Sequence, residues 1–547
     1  MEAPVRVERL HQSLLWPLRL LRSGAARRLR RPWEALQALP GHAWREQADE
    51  YTGQADAFHE RHYQEFLTFL PYVQRVLFGE GRRPGQTAHA ADGLGESGMK
   101  TFRRTDVAAV RVQTHADAEP ITLQVVHIDL IFFYDIDCAL LNVELTGTDL
   151  ALPQVQELLY RLGRAYPAGW DAQGHPLHSL WDCAWLDAQG RELARSDARE
   201  RERFIQHVQQ RRAPRVAAHW AYLLQPLVPD MDEDTEAPLR YRQIEYYRMP
   251  VMAFLAVDDP TRISRADFVR LGLVTGAAAP GTDGLPYGEG HLADFEQRYC
   301  WDRFWCAHGA APHTRYLCCG HALVVVGRAD AAFFACRDRG VLAQFRHQHF
   351  LLFLLVHFQK AALLMYSDRL VEALRRLNIA DPDNVRAFKR EIRSAFEGFL
   401  RFTHRYWFHE VSEQAQARAL YGLLHQHLQV HALYGEVKSR IGDMAQYLET
   451  DSIRRQANTV VRLTVVTIFG LVGTITTGFL GMNLLSESDS PMAQRLAVFG
   501  ATLAVTVGIT VVTIVKSKRL SDFLDALSDE RLSALDKLKS LAAVWRT

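Results

Sequence analysis

A short polar group lies at the end of the first of two long apolar segments near the C-terminus. The tripeptide Gly481-Met482-Asn483 is followed closely by Glu487 and Asp489. The asparagine side chain offers a neutral carbonyl oxygen, which can accept hydrogen bonds from the tightly held waters of hydrated Mg²⁺. Nearby carboxylates would raise the local cation concentration through their field, an effect that salt screens. These residue types are compatible with chemistry on a hydrated divalent cation, and a chance occurrence of the tripeptide is the alternative.

A set of small and hydroxyl side chains precedes the tripeptide at helical spacing. Its members would share one face of a helix, and they are Thr464, Thr467, Leu471, Thr474 and Gly478. Such a face can let helices pack closely, as small residues do in membranes, or it can line a path for water and ions. The spacing alone leaves both interpretations open.

Two charge-free apolar stretches, 463–486 and 496–515, must position these residues. Each is long enough to cross a hydrocarbon core of about 30 Å as a helix, for which about 20 apolar residues suffice. Because only a short loop separates them, we expect a hairpin that crosses a membrane and returns. The alternative is a buried helical hairpin in a soluble core, although two such runs rarely occur together in a water-soluble domain.

Basic residues next to the two stretches predict the orientation of the hairpin. They precede the first stretch and follow the second, and they are Arg454, Arg455, Arg462, Lys516, Lys518 and Arg519. The connecting loop holds Glu487, Asp489 and Arg495. Since basic residues stay on the cytoplasmic side, we expect both termini in the cytoplasm and the protein in the inner, or plasma, membrane.

Length and charge indicate a large body without an electrostatic preference for nucleic acid. The chain has 547 residues, and 64 basic and 63 acidic residues give a net charge of +1. Overall charge therefore gives no argument for a nucleic-acid partner. We also find no nucleophile and base whose spacing stands out, so the sequence predicts that the protein is not an enzyme.

Seven cysteines, an odd number in a large chain, argue against a disulfide framework. Several of them lie close to histidines in 300–321, where the possible metal ligands are Cys300, Cys306, His308, His313, Cys318, Cys319 and His321. These ligand types suit zinc, but no clean pair of closely spaced ligands occurs, and adjacent Cys318 and Cys319 would point to opposite faces of a strand. We expect buried thiols and loop histidines, with structural zinc as the alternative.

The sequence pattern of residues 1–340 predicts an α/β domain. Residues 1–80 have leucines at helical spacing, which predicts helices, and strand-like runs follow at 121–126, 130–134 and 140–145. A helical period covers 155–162, and further strands are expected at 251–257 and 321–326. This order favours a layered α/β/α arrangement.

The sequence becomes almost wholly helical after Val341 and lacks proline from 404 to Pro491. One continuous helix could therefore run from about 404 through the first apolar stretch. Its middle shows an alternating spacing of three and four residues at Leu420, Leu423, His427, Val430, Tyr434, Val437, Ile441, Met444 and Leu448. This spacing predicts either packing between subunits or a helix that rests on its own domain.

The tripeptide between two apolar stretches, the long preceding helix and the basic residues after the second stretch together resemble the CorA-type divalent cation transporters. The resemblance covers roughly 404–519. It implies a homopentameric channel in which the first span of each subunit lines the pore and the second faces lipid. Zinc-transporting relatives keep the same tripeptide, so the transported ion stays open.

The resemblance also implies roles for individual residues. Gly481, Met482 and Asn483 would form the selectivity filter, while Glu487 and Asp489 would attract cations at the outer mouth. The pore lining would comprise Asn458, Thr464, Thr467, Leu471, Thr474 and Gly478. Carboxylates between cytoplasmic domains regulate such channels, and Asp443, Glu449 and Asp451 are candidates, although solvated charges on the helix are the alternative.

The expected architecture has seven segments: an α/β domain at 1–340, cytoplasmic helices at 341–403, a stalk helix at 404–462, a pore-lining span at 463–485, an outer loop at 486–495, a second span at 496–515 and a cytoplasmic helix at 516–547. The last segment has leucines at helical spacing, which predicts an amphipathic helix.

The expected function is passive entry of Mg²⁺ into the cytoplasm, with no cofactor beyond the divalent ion. The expected partners are divalent ions, the lipid bilayer and further copies of the chain. The alternatives are transport of Zn²⁺, Ni²⁺ or Co²⁺, or a membrane-tethered scaffold or sensor.

Overall fold

The computed structural model forms two compact units, Met1–Ile441 and Gly442–Thr547. The structure describes residues 4–23, 31–47, 60–80, 97–232, 237–245, 248–278, 284–285, 287–377, 382–481 and 491–508. The boundary at 441 means that the helices expected at 341–403, and the first part of the expected stalk, belong to the same unit as the sheet.

Most strands of the first unit form one mixed sheet. The strands within the described residues are β1 (Arg6–Arg22), β2 (Trp44–Glu46), β3 (Met99–Arg104), β4 (Ala109–Gln113), β5 (Ile121–Phe133), β6 (Ile136–Ala151), β7 (Gly169–Trp170), β8 (Pro176–Leu177), β9 (Asp182–Leu186), β10 (Glu192–Arg195), β11 (Val228–Pro229), β12 (Leu239–Gln243), β13 (Val251–Val257), β14 (Cys300–Phe304), β15 (Thr314–Cys318) and β16 (Ala322–Arg328). The sheet order is β10-β9-β4-β5-β6-β1-β13-β16-β15-β14, with β12 and β11 added at β1, and β3 and β2 added at β5. Strands β7 and β8 pair separately.

The helices within the described residues flank this sheet and continue beyond it. They are α1 (Pro32–Gln37), α2 (Glu60–Thr68), α3 (Pro71–Phe78), α4 (Leu152–Arg161), α5 (Arg201–Arg211), α6 (Ala218–Leu224), α7 (Arg265–Leu273), α8 (Glu289–Tyr299), α9 (Ala332–Ala335), α10 (Val341–Gln344), α11 (Phe350–Arg375), α12 (Pro382–Tyr406), α13 (Ala415–His427), α14 (Val430–Gly481) and α15 (Met492–Gly508). The α/β class predicted from the sequence is confirmed, as are the strands expected at 121–126, 130–134, 140–145, 251–257 and 321–326 and the helix expected at 155–162.

The first strand corrects the prediction that residues 1–80 are helical. Residues 6–22 form β1, which pairs antiparallel with β6 over most of its length. Leu14 and Leu15 are adjacent and both buried, because a central strand is covered on both faces and so loses the alternation that marks a strand. One stretch of β1 pairs with β13 and a later stretch pairs with β12, and Pro17 lies between the two. Because proline has no N–H, this position is one where no hydrogen bond to β12 or β13 is lost.

Helices pack on both faces of the sheet, which gives the layered arrangement. Phe133 of β5 stacks on Phe358 of α11 with ring centroids 3.5 Å apart. The preceding residue, Phe132, contacts Trp33 of α1 and Phe102 of β3 instead. Successive strand residues point to opposite faces, so these contacts assign α11 to one face and α1 to the other.

Helix α11 is the central helix of its layer. It continues from α10 through one wide turn at Phe345–His349, and the combined helix Val341–Arg375 is long and apolar enough to cross a membrane by length and composition. Within its most apolar window, however, 78% of the residues are buried inside the protein. Burial of this kind is typical of a core helix, and α15 is a shorter apolar helix.

A partly buried charge network fixes α11 to the sheet. The guanidinium of Arg19 in β1 donates to Asp368 at 2.6 Å and to Glu372 at 2.9 Å. Arg242 of β12 donates to the second oxygen of Glu372 at 2.6 Å. Burial opposes ionisation of this carboxyl, but the hydrogen bonds from both arginines hold the pKa of Glu372 below its usual value. The register of α11 against two strands is therefore set by charge as well as by apolar packing.

The expected continuous helix from 404 is wrong. Helix α12 ends at Tyr406, α13 occupies 415–427, and α14 begins only at Val430. Gln429 adopts the left-handed conformation with φ of 52°, which ends the preceding helix without a proline or a glycine. The series of apolar residues from Leu420 to Leu448 therefore crosses a break and is not a single seam.

Candidate functional site

Helix α14 carries most of the residues that the sequence associates with ion transport, and its first turns are held by the body. Val430, Val437 and Ile441 are buried within the described residues of a single chain. Arg440 donates to the hydroxyl of Ser367 in α11 at 3.1 Å. These contacts support the interpretation that this part of α14 rests on its own domain. From Gly442 onward the same helix belongs to the second unit and continues to Gly481.

The predicted pore-lining residues of α14 share an exposed face in the single chain. Thr464, Thr467, Leu471, Thr474 and Gly478 are all exposed. The three threonine hydroxyls donate to the carbonyl oxygens of Val460, Leu463 and Gly470, at 3.0, 2.8 and 2.9 Å. A hydroxyl that donates to its own helix keeps its oxygen lone pairs as acceptors. This face therefore offers outward hydrogen-bond acceptors without a formal charge.

A different face of α14 contacts α15. Gly473 is buried, and a Cβ added there would overlap the side chain of Thr506. Thr477, one turn further along, is half-buried, and its hydroxyl also donates to the backbone, at 2.9 Å from the oxygen of Gly473. The glycine therefore permits a close approach of the two helices at this level. The threonines of α14 fall into an exposed group and a half-buried one.

Many large apolar side chains of α14 and α15 are exposed in the single chain. Those with exposed fractions between 46% and 74% are Tyr447, Ile453, Val460, Leu463, Ile468, Leu471, Met492, Leu496, Phe499, Leu503, Val505 and Val507. Contiguous apolar surface of this extent is typical of a protein or membrane contact. The apolar window of Val341–Arg375, by contrast, is mostly buried.

The tripeptide itself is described only in part. Gly481 is exposed and is the last residue of α14. Met482, Asn483, Glu487 and Asp489 lie outside the described residues, so their predicted roles stay predictions. Asn458 lies within α14, but its side chain is also outside the described set.

The predicted regulatory carboxylates all fall on α14. Asp443 is exposed, whereas the side chains of Glu449 and Asp451 are not among those described. Within the described residues, no group of three histidine, cysteine, aspartate or glutamate side chains is arranged to hold a metal ion. In the region considered for zinc, Cys318 and Cys319 are buried thiols and Cys306 is exposed. The thiol of Cys306 donates to the carbonyl of His308 at 3.2 Å.

Three histidines, His409, His425 and His431, form a cluster near the junction between α13 and α14. The sequence did not predict this cluster. The ring centroids of His425 and His431 are 4.8 Å apart, and those of His409 and His431 are 6.1 Å apart. Burial, together with the neighbouring His431 and His409, lowers the pKa of His425 to about 3. Burial and His409 likewise lower the pKa of His431. The three rings come from three different elements, so no local spacing could have shown the cluster.

The body also contains a cleft of about 270 Å³ that the sequence did not suggest. Its walls include Tyr160, His175 and Trp181, from three separate segments of the chain. The imidazole of His175 lies 3.0 Å from a carboxylate oxygen of Asp171, and Tyr160 is hydrogen-bonded to His178. The cleft residues thus hydrogen-bond to one another and give the cleft a polar and aromatic lining.

Comparison with known proteins adds no family assignment. No family model matches the chain, and neither the curated proteins nor the solved structures include a significantly similar protein.

Proposed function

We propose that this protein is a membrane channel for hydrated divalent cations, most favourably Mg²⁺, which enter the cytoplasm down their electrochemical gradient. In this proposal α14 and α15 cross the bilayer as a hairpin and five chains surround one pore. The inside-negative potential contributes about 4.6 kcal/mol per divalent ion at 100 mV, so no nucleotide hydrolysis is needed. The protein acts as a channel and catalyses no reaction.

The observation that carries the membrane placement is the exposed apolar surface of α14 and α15. Two charge-free stretches of about 20 residues each supply it, and many of their leucine, valine and phenylalanine side chains are exposed within the described residues. Exposing this surface to water would be costly, at about 25 cal/mol for each Å² of apolar area. A bilayer removes that cost for the faces that other helices do not cover.

The division of α14 into two faces supports the pore. The face that carries Thr464, Thr467 and Thr474 is exposed, while the face that carries Gly473 and Thr477 approaches α15. In a ring of subunits, the acceptor-bearing face would meet water and the hydration shell of an ion. The hydroxyl oxygens would accept hydrogen bonds from that shell without stripping it, as suits an ion that dehydrates reluctantly.

The filter assignment is tested by replacing Asn483. The purified full-length chain is reconstituted into vesicles, and entry of Mg²⁺ is followed with an entrapped fluorescent dye. We expect Asn483→Ala to abolish entry while the assembled particle keeps its size, because the outermost amide oxygens are lost. The matched change Ser486→Ala, three residues further along the chain, should leave entry close to that of the unchanged chain. Undiminished entry through the Asn483→Ala protein would refute the filter.

The identity of the ion is tested in the same vesicles with Zn²⁺, Ni²⁺ and Co²⁺ in place of Mg²⁺. We expect Mg²⁺ to pass fastest, because the exposed face of α14 offers neutral oxygens and no thiolate or imidazole among its described residues. Faster passage of Zn²⁺ would favour the alternative that the protein transports zinc. The proposal that α14 lines a pore would be unaffected.

A membrane-tethered sensor is the second candidate, and the cleft in the body favours it. A small ligand bound beside Trp181 would be detected by quenching of tryptophan fluorescence, and substitution of Tyr160 and His175 would abolish that quenching. Ligand binding without ion entry through the reconstituted chain would favour the sensor over the channel.

A further inference from the structure

The outer face of α12 carries arginines at helical spacing. Arg386, Arg390 and Arg393 follow one another at intervals of four and three residues, and Arg401 lies two turns further along the same face. All four are exposed. The opposite face is buried, and its residues are Phe388, Ile392, Ala395, Phe399, Phe402 and Tyr406. Because the apolar face holds α12 against the body, the arginines are held outward.

The end of α11 extends this charged surface. Tyr366 of α11 packs edge-on against Phe399 of α12 with centroids 5.9 Å apart, so the two helices lie side by side. Arg375, in the last turn of α11, and Arg376, which follows the helix, are exposed. Neither of these two arginines, nor Arg390 or Arg393 on α12, forms an ion pair with the described residues. We call the six arginines at 375, 376, 386, 390, 393 and 401 the basic face.

Apolar side chains accompany the basic face. Phe396 and Leu400 on α12 are 36% and 39% exposed, and Val371 and Leu374 on α11 are 39% and 46% exposed. The outer side of this helix pair thus combines guanidinium groups with half-exposed aromatic and aliphatic groups. This is the composition of surfaces that lie at the boundary between lipid headgroups and acyl chains.

We propose that the basic face binds the phosphate groups of anionic phospholipids. Guanidinium groups match phosphate oxygens in a two-point geometry, and those without a protein partner remain available for it. The inference rests on the membrane placement under the proposed function, because a chain inserted through α14 and α15 keeps its other surfaces at high effective concentration near lipid. That tether favours lipid over an acidic protein or a nucleic acid, either of which would have to be recruited from solution.

Cross-linking to lipid tests the proposal on the full-length chain. The photoreactive amino acid p-benzoylphenylalanine replaces Ser394, an exposed residue between Arg393 and Glu397, and the protein is reconstituted into vesicles of phosphatidylcholine with or without phosphatidylglycerol. We expect a lipid adduct, detected as a mass shift, only where phosphatidylglycerol is present. Replacing Arg375, Arg390 or Arg393 with glutamate should reduce the amount of adduct by about five-fold for each substitution.

Three controls make the result decisive. The same photoreactive group placed at Gln206, which is exposed on α5, should give no lipid adduct. Substitution of the exposed residues Arg45, Arg201 and Arg303 by glutamate should leave the adduct at position 394 unchanged. Inorganic phosphate added to phosphatidylcholine vesicles should have no effect, which separates a headgroup from free phosphate. If the chain resists carbonate extraction yet gives no lipid adduct, or cross-links only to protein, the basic face is not a lipid site. If the chain is extracted by carbonate, the membrane placement itself is wrong.

Discussion

Trp407 and Tyr434 stack face to face, with ring centroids 4.1 Å apart and an angle of 14° between the rings. Trp407 lies just after α12, and Tyr434 lies in the second turn of α14. Tyr434 also stacks on Phe399, with ring centroids 5.8 Å apart. The pair therefore connects the helices that pack on the sheet to the start of the helix proposed to line the pore.

Removal of the indole should loosen the start of α14. We expect Trp407→Ala to lower the free energy of unfolding by about 2–3 kcal/mol, because both the buried area and the ring contact are lost. Thermal unfolding of the full-length chain would measure the change, and hydrogen exchange should rise most in residues 430–441. Tyr447→Ala is a suitable control, since Tyr447 lies on the same helix but is 58% exposed. Equal effects of the two changes would contradict a specific role for the stack.

Acid should destabilise the junction between α13 and α14 through the histidine cluster. Because the pKa of His425 falls from 6.5 when unfolded to about 3 when folded, the folded chain binds fewer protons. The stabilisation is complete above pH 6.5 and is lost as the pH falls from 6.5 towards 3, at about 1.4 kcal/mol per pH unit.

The measurement is the midpoint temperature of thermal unfolding, taken at a series of pH values from 7 to 4.5. The fall of that midpoint should be shallower for His425→Leu than for the unchanged chain, because the variant has no imidazole to protonate on unfolding. His308→Gln, a change at an exposed histidine outside the cluster, should leave the slope as it is. An unaltered slope in His425→Leu would show that other groups set the acid response.

The close approach of α14 and α15 predicts unequal effects of two glycine substitutions. Gly473→Leu should destabilise the helix pair by roughly 2 kcal/mol, because a side chain there overlaps Thr506. At Gly470 no atom lies within 4 Å of an added Cβ, so Gly470→Leu should have a smaller effect. The melting temperature of the detergent-solubilised protein measures both. A larger loss from Gly470→Leu would argue against this helix pairing.

The two groups of threonines in α14 should contribute differently to ion entry. Thr467→Val removes an outward acceptor, and the loss of one such hydrogen bond, about 1 kcal/mol, corresponds to a roughly five-fold slower Mg²⁺ entry. Thr477→Val removes a hydroxyl from the half-buried face and should leave the rate nearly unchanged. The dye assay in vesicles measures both variants. Equal rates for both would place the water path elsewhere.

The sequence predicts those strands and helices whose residue pattern lies within the element itself. Strand β13 lies at 251–257, where the sequence predicts it, because a short apolar run buried on both faces is recognisable from its own residues. The long apolar stretch at the end of α14 could likewise be recognised from the absence of charge over some 20 residues. The tripeptide and its proposed chemistry also came from the sequence alone.

Tertiary structure decided what depends on residues distant in the chain. Residues 6–22 form a strand because β6 and β13 flank them, although their leucines fit a helical period. The helix break at Gln429 has no local signal, since neither proline nor glycine marks it, and packing around Trp407 and Tyr434 accompanies it. The histidine cluster and the charge network around Glu372 join side chains from separate elements, and only folding brings such groups together. Local patterns specify local conformation, whereas burial, register and neighbouring charges are properties of the assembled chain.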